Sequence, residues 1–511
     1  MTSSPLPHAI GLYPASSFRV ATGATAGERT LRQARWYFNG ETIAVPVDDA
    51  PLASFTKGVG AFDDVKTWAA SHDGDAIEYP PLVWIGAPHV LRDARMSGDG
   101  STIDGLALRT VDRLPLNRSY FDAHSVAYFA GRSLTVRGTR DGDAFELRTV
   151  WPDDFSLCAR PPLRESSAPP AIAIRALMRE TPGGGSQLPY AAWTLWQRDD
   201  APDWRGRAVL GLIVNGAQGD DDEAHAGHFA IVTGRVQGDG RIGDWLVDNF
   251  YTLDAESEKG IVAAPVPLDA YLGDLNSGQS WYRPGYMLVL VLRDARAASL
   301  VQSALGRVYN QFYRHQLLYY HADANCTSIS VDTLRALGWP IPPRGATSRW
   351  LAWLGFPLMI ARERSLARAR IAFDYLCTDQ TVLMPAAAME DAYASVIALV
   401  NGEHCDGRLG RMLAEDVDAV AFLRIPQFPS SRAFGDAPVV NLREYRARLP
   451  ADRSQMQVVP VPPRPFPPTL RDDDLLAPRA HPSDIATRVW GAIAIAGVAA
   501  ALYRLLRKRR D

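Results

Sequence analysis

At 511 residues the chain is too long for one ordinary hydrophobic core, so two or three domains are expected. Hydrophobic residues at 47% and charged residues at 22% are the proportions of a globular protein. A formal net charge of −3 argues against a nucleic-acid binder, which needs a basic face.

The first seventeen residues, MTSSPLPHAIGLYPASS, have no basic start and no apolar run, so they do not read as a secretory signal. Residues 1–158 read as a β-rich domain. Polar and apolar residues alternate from Ser133 to Arg137 and again from Phe145 to Val150. Asp141-Gly142 between them supplies the turn of a hairpin. Pro81–Ile85 reads as a buried strand. Residues 159–170 (ARPPLRESSAPP) mark a boundary. From 171 to 345 strands and helices alternate. From 346 to 425 the pattern is mostly helical, with Arg362–Leu376 and Ala386–Val400 as the clearest stretches. Trp350–Ala361 is unusually apolar and aromatic. It reads either as a core helix broken at Pro357 or as an interfacial segment that admits acyl chains.

Residues 426–484 are polar and proline-rich, and 458–468 (VVPVPPRPFPP) should form an extended spacer. Residues 489–503 (VWGAIAIAGVAAALY) are apolar all round and flanked by arginines. With snorkelling at both ends, residues 485–506 are expected to form a single C-terminal transmembrane anchor. The basic tail after it would be cytoplasmic by the positive-inside rule, which would export the body. No signal exists to do so, and the expectation is therefore a membrane-tethered protein with a cytoplasmic body.

The four cysteines, Cys158, Cys326, Cys377 and Cys405, are scattered without C-x-x-C spacing, which argues against a cysteine-built zinc site or a disulfide framework. Asp220–Glu223 with His225 and His228 read as an acidic solvated loop rather than a metal site. The chemistry is concentrated elsewhere. His228 opens a β-prone run, and Trp245–Tyr251 forms the returning strand of a hairpin, carrying Asp248 and Asn249 in an otherwise apolar sequence. Either side chain, facing the histidine across the ladder, would satisfy both groups. Leu300–His321 follows as a helix. Ile329, Val331, Leu334 and Leu337 then give the spacing of a short helix stopped by Gly338, with Cys326 at its first turn. A helix N-terminus stabilises a thiolate, and an imidazole nearby completes its activation.

A histidine on a strand, a polar residue on the next strand and Asn325-Cys326-Thr327 at a helix start together resemble the circularly permuted papain-like (NlpC-type) cysteine enzymes. The stretch Tyr319-Tyr320-His321…Asn325-Cys326-Thr327 is similar to that of the bacterial lipoprotein N-acyltransferase-like family. The resemblance covers about residues 190–340. It implies an α+β fold with a permuted papain-like catalytic domain at 171–345. It implies Cys326 as nucleophile, His228 as base, and Asn249 or Asp248 as the group orienting the imidazole. The Cys326 N–H and, less directly, Tyr320 would be oxyanion donors. The expected activity is a membrane-anchored thiol acyltransferase or an amide or ester hydrolase working through an acyl-cysteine. Its substrate would be acyl- or amide-bearing, with lipids and lipoproteins among the options, and no cofactor or metal is required. The alternative is a catalytically silent scaffold of the same fold, acting as a tethered binding module.

Overall fold

A computed structural model describes most of residues 9–429 and a short turn at 466–470. Loops at 73–79, 113–120, 180–187, 217–226 and 254–261 are among those outside the described residues, as are 430–465 and 471–511. The architecture is mixed α/β, with twelve α-helices and four sheets among the described residues.

Its centre is a seven-stranded antiparallel sheet. In chain order the strands are β1 (Ala191–Gln197), β2 (Ala208–Asn215), β3 (His228–Arg235), β4 (Leu246–Asn249), β5 (Ala264–Pro267), β6 (Gly285–Leu292) and β7 (Val417–Ile425). Their spatial order is β1-β7-β6-β2-β3-β4-β5. β2, β6 and β7 are buried along their whole length, so they read as mostly apolar runs, interrupted by Asn215, Asp418 and Arg424, rather than alternating ones. β7 closes a stretch expected to be helical. Its sequence, VDAVAFLRI, instead pairs with both β1 and β6. The expected helices upstream of it are present in slightly shifted form.

The helices that bear on the site are α1 (Ala61–Ser71), α2 (Arg296–Tyr313), α3 (Cys326–Ala336), α4 (Arg349–Glu363), α5 (Leu366–Cys377) and α6 (Pro385–Val400). α2 ends at Tyr313, short of the expected His321, and His315 beyond it adopts φ 56° in the left-handed region. α4 runs through Pro357 without stopping. Gly338 ends α3 as the sequence suggests, with φ 91°. A Cβ there would come within 2.6 Å of the Gly407 backbone, so two chain segments cross at glycine.

The N-terminal 158 residues do not stand apart. Their strands, including the hairpin Leu134–Asp141 with Ala144–Pro152, share one hydrophobic cluster with the central sheet. Ion pairs cross the junction: two buried, Arg137 with Asp269 at 2.8 Å and Arg307 with Asp64 at 2.9 Å, and one partly buried, Arg148 with Asp274 at 2.8 Å. Gln427 and Phe428, at the start of the proline-rich region, are also buried. Phe428 lies among Phe129, Trp151, Phe155 and Trp281.

The expectation of a C-terminal transmembrane helix, and of a single-pass membrane location resting on it, is corrected by this structure. Among the described residues no helix is long and apolar enough to cross a membrane. Residues 489–503, to which the sequence assigns the anchor, lie outside the described residues. Their alanine-rich composition would insert only weakly in any case, since alanine is near neutral on insertion scales. The acidic loop at 220–225 also lies outside them. Among the described residues no cluster of His, Cys, Asp and Glu has the arrangement of a metal site.

Candidate active site

The site is built from the first residue of β3, the last of β4 and the first turn of α3. Asn325 caps α3. Its Oδ1 accepts from the N–H groups of Thr327 (2.8 Å) and Ser328 (2.9 Å), and the Ser328 hydroxyl accepts from the Asn325 N–H at 2.8 Å. The Asn325 Nδ2 donates to the His321 carbonyl at 3.0 Å. The cap therefore also fixes the loop before it, which Tyr320 and Ala324 close by paired backbone bonds. These bonds place Cys326 at the helix start, 6% exposed.

His228 and Asn249 are buried beside it. The Asn249 Nδ2 donates to the Val262 carbonyl at 2.7 Å. A carbonyl can only accept, so the amide orientation is fixed and Oδ1 faces Nε2 of His228, 2.5 Å away. Oδ1 also only accepts, so Nε2 carries a proton and Nδ1 keeps its lone pair when the ring is neutral. The imidazole and the Phe229 N–H both act on the Cys326 thiol. Burial pushes the thiol up. The His228 charge, its hydrogen bond, the Phe229 N–H and the Thr327 hydroxyl (3.9 Å) outweigh burial and bring it down to about 7.

Asp248 does not share this role. Adjacent strand residues point to opposite faces, and Asp248 pairs with Ile231 on the side away from the imidazole. It is fully buried. Its Oδ1 accepts from Gln302 Nε2 at 3.2 Å, and Gln302 Oε1 in turn accepts from the Thr233 hydroxyl at 2.7 Å. Burial, only partly offset by the Gln302 bond, pushes the Asp248 carboxyl up to about 8. The folded state thus holds a proton that an unfolded chain releases near pH 4. The carboxyl costs stability progressively as pH rises from about 4 to about 8, and the full cost stands above that. Asp248→Asn should therefore raise the melting temperature by several degrees at pH 8 and little at pH 4. An equal gain at both pH values, or none, would refute the protonated carboxyl.

Tyr320 also lies elsewhere. Its hydroxyl donates to Asp374 Oδ2 on α5 at 3.0 Å. Its neighbour Tyr319 is half-buried and lies near Cys326, whose thiol charge, after burial, disfavours ionisation of the Tyr319 hydroxyl. No signal in the sequence separates these adjacent tyrosines, because the loop geometry alone decides which one turns inward. Tyr319, not Tyr320, is therefore the tyrosine whose ionisation the Cys326 thiol opposes. Tyr319→Phe should lower turnover about 10²- to 10³-fold, the cost of one oxyanion donor. Tyr320→Phe should leave turnover near wild type and only loosen the tie to α5. Equal losses in both, measured as kcat/KM, would remove the distinction.

Two further aromatic groups line the site. Tyr271 lies with its ring centroid 6.2 Å from that of His228, and its hydroxyl donates to Asn215 Oδ1 at 2.6 Å. Tyr375 on α5 is near enough to the thiol for its own ionisation to be disfavoured, by burial first and by the thiol charge second. Compared with protein-family models, with curated proteins and with solved structures, the chain gives no match.

Proposed function

We propose that this chain is a cysteine-dependent acyl-transfer enzyme of the papain-like kind, an acyltransferase or an amide or ester hydrolase. The observation that carries the reading is the fixed order Asn249–His228–Cys326, with the imidazole tautomer set by an amide that cannot turn. In the reaction, Nδ1 of His228 takes the thiol proton and Sγ attacks the substrate carbonyl carbon. The oxyanion meets the Cys326 N–H and the Tyr319 hydroxyl. Collapse expels an alcohol or amine, which recovers the proton from the imidazolium, and leaves a thioester on Cys326. An acceptor alcohol, amine or water then gives its proton to His228, attacks the thioester and frees the thiol. Asn249 holds the ring in place through both halves and stabilises its charged form.

The test is the pH profile of alkylation by iodoacetamide, followed at each cysteine by mass spectrometry. Cys326 is expected to react with a midpoint near pH 7, against about 8.5 for an ordinary thiol. The midpoint should rise in His228→Ala. A profile at Cys326 like that of a free thiol would sink the activated-nucleophile reading and leave the silent scaffold.

A further inference from the structure

α4 and α5 form a helix hairpin whose outer face is apolar and uncovered among the described residues. Trp350 is 77% exposed, Leu354 66% and Leu358 72%. Leu351, Trp353 and, on α5, Ile371 extend the same surface. The spacing of Trp350, Leu354 and Leu358 puts them on one helix face, while Ala352 and Phe356 point inward. Trp353 and Phe356 both pack edge-on to Phe373, which locks α4 onto α5. A monomeric soluble protein seldom leaves so many large apolar side chains side by side on its surface.

The charges around this face are one-sided. Residues 349–377 hold five arginines against one glutamate and one aspartate, in a chain whose net charge is −3. Arg349, Arg362, Arg364 and Arg368 are exposed. The aspartate, Asp374, is buried against Tyr320 and Arg370. Exposed tryptophan and leucine bordered by arginine match the acyl and headgroup layers of an anionic lipid surface. α4 has 15 residues, about 22 Å at about 1.5 Å per residue. That is short of the roughly 30 Å of a bilayer core, so the hairpin can lie on a membrane but cannot cross one. The inner end of α5 reaches the candidate site, through Asp374 on Tyr320 and Tyr375 near the Cys326 thiol.

We propose that the α4–α5 hairpin is a docking surface for an anionic lipid interface, which brings the mouth of the Cys326 site to the lipid headgroups. The surface acts whether or not Cys326 reacts. The full chain is mixed with sedimentable vesicles of phosphatidylcholine, with or without phosphatidylglycerol, and the bound fraction is measured. Binding should favour the anionic vesicles, and Leu354→Glu/Leu358→Glu should lower it by about tenfold or more. Labelling of Cys326 in solution should stay unchanged in that variant. Arg364→Gln/Arg368→Gln should reduce the preference for anionic vesicles. Brominated lipid should quench a tryptophan signal that Trp350→Phe removes, a readout that does not depend on how the charged variant folds. Cys326→Ala should bind as wild type. Binding by the Leu354→Glu/Leu358→Glu variant equal to wild type, or no vesicle binding at all, overturns the proposal. So does a wild-type dimer that the variant abolishes without any vesicle binding, since a second copy would then cover the face. A wild-type chain that binds the vesicles while Cys326 is labelled like a free thiol would sink the acyl-transfer reading alone.

Discussion

Cys326→Ala should abolish thiol labelling at the site and reduce turnover to background, and His228→Ala should lower turnover on the order of 10⁴- to 10⁶-fold. The two losses should not add. Without the imidazole the thiol loses its base, and without the thiol the base has nothing to activate, so the double variant should match the worse single one. Asn249→Ala should cost less, because the ring survives and only its orientation and its charged form lose support. Cys377→Ser and Cys405→Ser should be silent, since neither thiol belongs to this arrangement of imidazole and helix start. The readout is kcat/KM on a panel of small thioesters, esters and amides, with folding checked by circular dichroism. Full activity in Cys326→Ala would end the enzyme reading.

The second large effect concerns stability. Asp64 on α1 is 1% exposed. Its carboxylate accepts from Arg307 Nε (3.1 Å), Arg307 Nη2 (2.9 Å), Gln311 Nε2 (3.4 Å) and the Thr56 N–H (2.7 Å). Removing it takes a buried carboxylate away from the buried Arg307 guanidinium, at a cost of about 3–5 kcal/mol. Asp64→Ala should accordingly show a large drop in the urea midpoint. Asp64→Leu with Arg307→Met should recover most of it, because desolvating two charges was itself costly. A midpoint for Asp64→Ala near wild type would show that the pair is dispensable. Arg307 stands on α2, the helix that also carries Gln302 and Tyr309, and the Tyr309 hydroxyl donates to the Asn249 carbonyl at 2.9 Å. The same substitution should therefore blunt activity at temperatures where the fold persists.

Local features of the site are legible in the amino-acid sequence. The strand starting at His228 follows from a β-prone run, and the helix at Cys326 follows from the spacing of Ile329, Val331, Leu334 and Leu337 and the glycine stop at Gly338. Features decided by register are not legible in this way. Asp248 and Asn249 are neighbours on one strand, and a slip of one residue in pairing would exchange their faces. Only the pairing of Asp248 with Ile231 settles which of them meets the imidazole. Tyr319 and Tyr320 pose the same problem in a loop, where periodicity offers nothing. The strand Val417–Ile425 escapes a reading of local pattern for a different reason: its partner β6 lies more than 120 residues earlier and β1 earlier still. The terminal apolar segment shows the converse error, in which composition alone invites an anchor.

That late strand also constrains how the protein is made. β1 and β6 flank β7, so both present open edges until the ribosome has released Ile425. Nearly all the elements around the candidate site, from β1 through α3, are synthesised before the strand that seals the sheet. Until then two apolar strands display unpaired N–H and C=O groups to any neighbouring chain. Such a sheet closes slowly, because the loop joining β6 to β7 must be gathered in first. Nascent chains stalled between Trp339 and Val417 should be the form of this protein that most needs a chaperone.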